Sequence, residues 1–596
     1  MSHKYIWYLP VLLFCWSCAQ QGSPAGGPRD EDPPVVIECV PPNYSTHFES
    51  KKIQVTFDEY IVLDNVNQQL IVSPPMEEQP KVKLKKKSLL IEFEEALKIN
   101  TTYTFNFGDA IKDLHEGNKL QNYEYVFSTG DVLDSMSVRG KLIYAENLEV
   151  PDEPVSIMLY SDLRDSVPLL DIPLYVGRSN DSAVFSVNNL RPDVYKVFAL
   201  KDGNNNFLFD LPTEEIAFLD TSLIVNAEFA RQLLGDSIVS AAIPDTVYAD
   251  SSAVDSDSIV VEVPDFNSIY IDLMLFTEAS EIQYLTNSTR EDRRKLQLVF
   301  ALPLTDSFSY RPLQEAGESE LLFLEHYSMG RDSLTLWVRD SVHYKNDSIR
   351  MELNYTVKDT TEQYVLKTDT VLLSYREPQA RNKREQTVQK EEEKLELTTI
   401  RDNANQNLNR DLSLFVDFPV EKLNDTLFSL YNIPDSVEIA VPFVVKSDSL
   451  QPYRVIVSTP WESDSKYRME LRPGAISSIY PMQHDTLDVS FRTRDLEFYG
   501  QILLSLVNVK DQVVIQLFSS KTLIDEKIVE ADGQYNFPFL APKEYQLKFI
   551  HDRNKNGKWD TGNYLEKLQP EPVELLPVSI EVRSNWDHDV SMVLEK

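Results

Sequence analysis

FSVNNLRPDVYKVFALKDGNNNFLFD, Phe185–Asp210, has a second copy in the chain: YNFPFLAPKEYQLKFIHDRNKNGKWD, Tyr535–Asp560. Leu190, Pro192, Tyr195, Asp202, Asn204, Asn206 and Asp210 meet Leu540, Pro542, Tyr545, Asp552, Asn554, Asn556 and Asp560 in the same order and at the same spacing. In each copy an alternating apolar strand runs into a Pro turn, a second strand and an Asp/Asn-rich loop. Two such copies predict repeated β-modules that present acidic loops.

Outward from this pair the rest of the chain also reads as strand. At 596 residues it has room for about four or five domains of ordinary size. Hydrophobic residues at 42% and aromatics at 10% are enough to build packed cores. A formal charge of −36 argues against nucleic acid or an anionic membrane surface as a partner and permits a cation ligand. The three cysteines, at 15, 18 and 39, leave Cys39 without a mate once the leader is set aside, so disulfides are not expected to hold the fold.

That leader is Lys4 followed by the apolar run YIWYLPVLLFCWS, shorter than the roughly 20 residues a membrane-spanning helix needs. A secretory signal is expected over 1–17, then a flexible tether, 18–33, rich in Gly, Pro and polar residues. WSC followed by AQQGSPAGGPRDEDPP resembles a bacterial lipoprotein signal, which implies an acylated Cys18 and an outer-membrane or cell-surface address. Cys15 stands where such signals usually carry an aliphatic residue.

Within 34–131, IQVTF places Ile53, Val55 and Phe57 on one face, and YTFNF does the same with Tyr103, Phe105 and Phe107. With DPPVVIECVPPNYS, IQVTFDEYI, TYTFNFGDAIKDLHEGNKL and YEYVFSTGD in that order, the segment resembles the SbsA-type bacterial Ig-like domain. The resemblance implies a spacer or adhesive module without chemistry of its own. VRGKLIY, VSIMLYS and the first copy of the opening stretch, over 132–230, resemble the transthyretin-like, carboxypeptidase-regulatory-type β-sandwich. The same resemblance extends to 496–596, around YGQILLSL, VVIQLFS and the second copy. An acidic Ser/Asp-rich linker is expected over 231–265, an unassigned β domain over 266–376, and a charged linker or short helix over 377–400. Residues 401–495 end in SFRTRD, an echo of VFSTGD, and read as a diverged Ig-like domain. The fold class that follows is all-β, a multi-domain string of Ig-like and transthyretin-like β-sandwiches.

No enzyme signature stands in the chain: GxSxG, HExxH and GxxxxGK are missing, and the one CxxC, CWSC at 15–18, lies in the leader, so a non-catalytic protein is expected. The Asp/Asn loops are the best chemical candidates in the sequence. DRNKNGKWD puts side-chain oxygens at its first, third, fifth and ninth positions, with a backbone carbonyl at the seventh. A short loop wraps a hard Ca²⁺ in this way, and Gly557 permits the sharp turn. The expected ligands are Asp552, Asn554, Asn556, the Lys558 carbonyl and Asp560, with Glu566 as a further carboxylate. The weaker set is Asp202, Asn204, Asn206, Leu208 and Asp210, with Phe207 where the turn wants Gly and Glu214 or Glu215 close by. Position 12 lacks the usual Glu in both loops, being Asn563 in one and Thr213 in the other. The competing reading is a metal-free Asn/Asp turn. The functional expectation is a lipid-anchored structural or binding rod at the outer membrane, in contact with a surface complex or a glycan. The alternative is a glycan-binding accessory lipoprotein of a polysaccharide-uptake system.

Overall fold

The computed structural model describes residues 30–240, 267–313, 323–340, 343–359, 363–376, 394–400 and 405–595. Strand takes up 49% and helix 5% of the chain, and the fold is an all-β string of sandwiches. It divides into two compact units, residues 1–143 with 150–275 and residues 144–149 with 276–596.

In the first unit, the Ig-like sandwich forms where alternating apolar residues meet across paired strands. Lys52–Phe57 pairs antiparallel with Ser88–Glu92, with Ile53 opposite Ile91 and Val55 opposite Leu89. Val36–Val40 and Lys81–Lys85 complete that sheet. The facing sheet is Ile71–Ser73, Thr102–Asn106 and Glu124–Ser128. Ile53, Val55, Phe57, Phe105 and Phe127 are fully buried between the two. Thr102 and Thr104, on the opposite face of their strand, are buried as well. The module that follows covers this face: the Asn189 amide donates to Thr104 Oγ1 at 3.0 Å, and the Val176 N–H donates to Ser73 Oγ at 3.0 Å.

That module has eight strands: Met136–Tyr144, Ser156–Tyr160, Tyr175–Arg178, Val184–Leu190, Asp193–Lys201, Glu215–Phe218, Leu223–Val225 and Ser268–Thr277. The eighth corrects an expected boundary. The sequence places Ser268–Thr277 in the unassigned domain 266–376, yet it lies in the sheet beside Met136–Tyr144. The acidic segment is therefore an insertion between the seventh and eighth strands. Its first residues belong to the helix Ala227–Ser240; residues 241–266 lie outside those described. The sequence could not show this, because a strand following a long polar segment carries no mark of which sheet it will join.

In the second unit, the module at the C-terminus repeats the plan with Gly500–Val507, Val513–Ser519, Thr522–Val529, Gly533–Leu540, Glu544–His551, Val573–Leu575, Ile580–Glu581 and Asp587–Val593. Its last strand runs parallel to its first, with Leu504 beside Val590. The registers match as well. Val138 lies opposite Val187 and Ile502 opposite Phe537, each pair just beyond an irregularity in the first strand. Leu547 and Phe549 fill the core with no exposure.

The rest of the second unit is two further sandwiches, each with its own core. One centres on Leu296, Leu298, Leu334, Leu336, Met351 and Leu353, the other on Leu412, Leu414, Val455, Tyr467 and Leu471. Part of the expected charged linker is strand: Leu397–Ile400 pairs with Leu412–Val416, and Leu395 is buried in the core. The two-residue alternation in LELTTI is the physical reason. Residues 377–393 lie outside those described. The two sandwiches meet at Arg294, whose guanidinium stacks on Tyr344, Phe418 and Tyr480 at 4.8, 5.0 and 5.2 Å.

Candidate functional site

Both Asp/Asn loops leave the strand that follows the Pro turn, and each begins from the same local device. The Tyr195 hydroxyl donates to the Arg191 carbonyl at 2.8 Å, and the Tyr545 hydroxyl donates to the Ala541 carbonyl at 3.0 Å. Each tyrosine closes its own turn from a buried position and sets the direction of the strand that ends at the loop.

In the second loop Asp552 is fully buried. Its Oδ2 accepts the Gly557 N–H at 2.7 Å and the Gln512 amide at 2.6 Å, while Oδ1 accepts the Asn556 N–H at 3.1 Å. Asn554 Oδ1 accepts the Asn556 N–H at 3.1 Å, and Asn556 Oδ1 accepts the Lys558 N–H at 2.9 Å. Both amide groups donate to Asp560 Oδ2, at 2.7 and 2.6 Å. The first loop repeats this wiring. Asp202 accepts the Phe207 N–H at 2.7 Å, Asn206 Oδ1 accepts the Leu208 N–H at 2.8 Å, and the Asn204 and Asn206 amides donate to Asp210 at 3.1 and 2.8 Å. The turn residue is left-handed in both, Gly557 at φ +81° and Phe207 at φ +59°. The side chain at Phe207 makes that conformation costly, by about 1–2 kcal/mol, whereas Gly557 adopts it freely.

The carboxylate that braces each loop is one the spacing did not single out. Glu571 accepts the Arg553 N–H at 2.7 Å and the Asp560 N–H at 3.1 Å; Glu214 accepts the Gly203, Asp210 and Leu211 N–H groups at 3.2, 3.0 and 3.1 Å. Both are buried. Burial, with Asp560 and Asp552 adding repulsion, raises the Glu571 pKa above its ordinary value even though two backbone N–H groups pull the other way. Glu566 is not brought to the loop. It is exposed on a turn closed by reciprocal bonds between Asn563 and Leu568, on the side of Glu278. This turn gives the second loop seven more residues between its final Asp and its bracing Glu than the first has. The carboxylate of the second loop is therefore Glu571 and not Glu566, whereas at the first loop it is Glu214, one of the two nearby candidates in the sequence.

The oxygen set suits a hard cation. Asp552 Oδ1, Asn554 Oδ1 and Asn556 Oδ1 each accept one N–H and keep a second lone pair. Among the described residues, no three carboxylate, imidazole or thiol side chains converge to hold a metal. A cation here would rely mainly on amide and backbone oxygens, a donor set of the kind that holds Ca²⁺ weakly. Cys18 lies outside the described residues. Cys39 forms no disulfide, and its thiol lies 3.4 Å from the Tyr123 hydroxyl.

Residues 30–129 match the bacterial Ig-like domain family. No curated protein matches the chain. Among solved structures, the chain is similar to an α-2-macroglobulin fragment of Escherichia coli, with 10% identity, 50% of this chain and 97% of that one covered, and a TM-score of 0.18. It is similar to the S-layer protein SbsC, with 9% identity, coverage of 92% and 67%, and a TM-score of 0.13. Titin domains A168–A170 share 6% identity over 52% of this chain and 100% of theirs, with a TM-score of 0.13. At such TM-scores none of these carries an argument about this chain. The family match and the strand sandwiches make this an Ig-like multidomain protein, a type that fits a structural or binding role.

Proposed function

We propose that the protein is a non-catalytic, lipid-anchored component of the outer membrane or cell surface, acting as a spacer that presents binding surfaces. What supports the reading most is a single observation: one eight-strand module, with one loop wiring, is built twice in a chain of separately cored sandwiches. Duplication of a folded unit adds reach and surface without needing a reaction centre. The resemblance of 1–33 to a lipoprotein leader supports acylation at Cys18, and that of 132–230 and 496–596 supports the transthyretin-like family for the two modules. We further propose that the Asp/Asn loops take Ca²⁺, with Asp552, Asn554, Asn556, the Lys558 carbonyl and Asp560 as the stronger set.

Extracellular modules bind Ca²⁺ with dissociation constants on the order of 10⁻⁴–10⁻³ M. At about 1 mM Ca²⁺ and a constant near 0.1 mM, binding adds roughly 1.4 kcal/mol to the stability of the module that holds the ion. Thermal unfolding of the mature chain, with Ca²⁺ and with chelator, should show one transition that rises by several degrees with the ion. An Asp552→Ala, Asp560→Ala variant should lose that rise. A wild-type chain indifferent to Ca²⁺, or a variant that keeps the full rise, reduces the loops to turns.

A further inference from the structure

Inside the first unit, between the Ig-like sandwich and the first module, lies a cleft of about 1070 Å³. Its walls are fastened to each other. Glu124 Oε1 accepts the Asn106 amide at 2.9 Å from its own domain and the Asn188 amide at 3.0 Å from the module. The Arg178 guanidinium donates to the Gln68 carbonyl across the same junction. Together with the Thr104 and Ser73 bonds, these hold the cleft open as a preformed space rather than a hinge.

The lining mixes charged and amide groups with apolar side chains such as Val176, Val184 and Phe185. Four cationic side chains face four anionic ones, so the cleft is neutral in a chain of net charge −36. Six side-chain amides stand among them. Two of these, on the exposed residues Gln121 and Asn122, have no hydrogen-bond partner among the described residues. Tyr270, on the last strand of the module, lines the cleft at 58% exposure.

These features select a ligand class. Charge balance removes the attraction that a phosphate, a nucleic acid or a free cation would need. The mixed lining suits a ligand with both hydroxyls and apolar C–H faces, whereas sites for small apolar ligands, of about 300–1,000 Å³, are mostly hydrophobic. Planar amide, guanidinium and carboxylate groups match pairs of neighbouring hydroxyls, because each offers two donors, two acceptors or one of each in a plane. An exposed aromatic ring offers a flat face to the C–H side of a pyranose. We propose that this cleft binds a neutral oligosaccharide, with Tyr270 as the stacking platform and Gln121, Asn122 and Arg178 as hydroxyl partners.

This goes beyond the anchored-spacer reading and uses neither the Ca²⁺ loops nor Cys18. The test is titration calorimetry of the mature chain with neutral hexasaccharides of glucose, xylose and mannose, and with hexagalacturonate as the charged control. Tyr270→Ala and Gln121→Ala are the variants; Asn122 is left alone because it holds φ +51°. A neutral hexasaccharide should bind at sub-millimolar concentration and lose about tenfold in affinity, about 1.4 kcal/mol, in each variant, with unfolding midpoints unchanged. Binding of none of the neutral sugars, preference for hexagalacturonate, or affinity untouched by both variants overturns the proposal. Because the readout is binding in solution, its failure leaves the anchor and Ca²⁺ readings standing, and theirs leaves the cleft.

Discussion

Asp113 shows how much of this fold hangs on single polar side chains. It is 1% exposed, and its carboxylate accepts four backbone N–H groups: His115, Glu116 and Gly117 at 2.8, 2.6 and 3.0 Å on one oxygen, Asn118 at 2.7 Å on the other. Burial by itself pushes the pKa up, but the four donors outweigh it and leave the pKa below the ordinary 3.8. The stability it contributes is therefore present above pH 3.8 and lost as pH falls through the lowered folded value. Asp113→Ala should cost the Ig-like sandwich about 2–4 kcal/mol at neutral pH, since four part-buried N–H groups lose a charged acceptor at once. It should also flatten the acid limb of a stability–pH profile measured by denaturant unfolding. A variant as acid-sensitive as the wild type would mean that another carboxylate sets that limb.

Among the glycines of the first module's strands, Gly140 leaves the least room for a side chain. A Cβ there would sit 1.6 Å from the Ile271 carbonyl oxygen, a backbone atom that cannot swing aside. The first and last strands of the module can lie together only because this residue has no side chain. Gly140→Ala should therefore destabilise the first unit by about 3 kcal/mol, the upper end of ordinary overpacking costs. Its denaturant midpoint should fall while the midpoints of the other sandwiches hold. Loss of less than about 1 kcal/mol would show that the strand ending the module is dispensable. The same element explains the moved boundary: the eighth strand is separated from the seventh by the acidic insertion, yet it is held by its neighbours in the sheet and not by proximity in sequence.

For the whole molecule the expectations concern location and reach. A compact globule of this length would have a radius of gyration of about 25 Å. Solution scattering from the proposed spacer should give a clearly larger value, and a value near the compact one would remove the rod. Cys18→Ser should release the protein from the membrane fraction and leave an unprocessed precursor. Several acyl chains hold a protein where a single chain binds only marginally. Retention in the membrane with processing as in the wild type would assign the anchor elsewhere.

Period-two alternation marks Ile53, Val55, Phe57, Phe105 and Phe107 as core residues in the sequence, and all five are buried. The repeated stretch likewise announced two equivalent loops, because a turn and its side-chain caps are built from residues adjacent in sequence. What crosses between distant segments was not legible. Burial of Thr102 and Thr104 on a face that alternation would leave open depends on a neighbouring module. The brace on the second loop depends on Glu571, carried past Glu566 by an inserted turn. The cleft beside Tyr270 exists only because two sandwiches meet there. Local patterning and turn chemistry are written in short spacings, whereas partnerships between sheets are decided by which surfaces remain to be covered once each strand has formed.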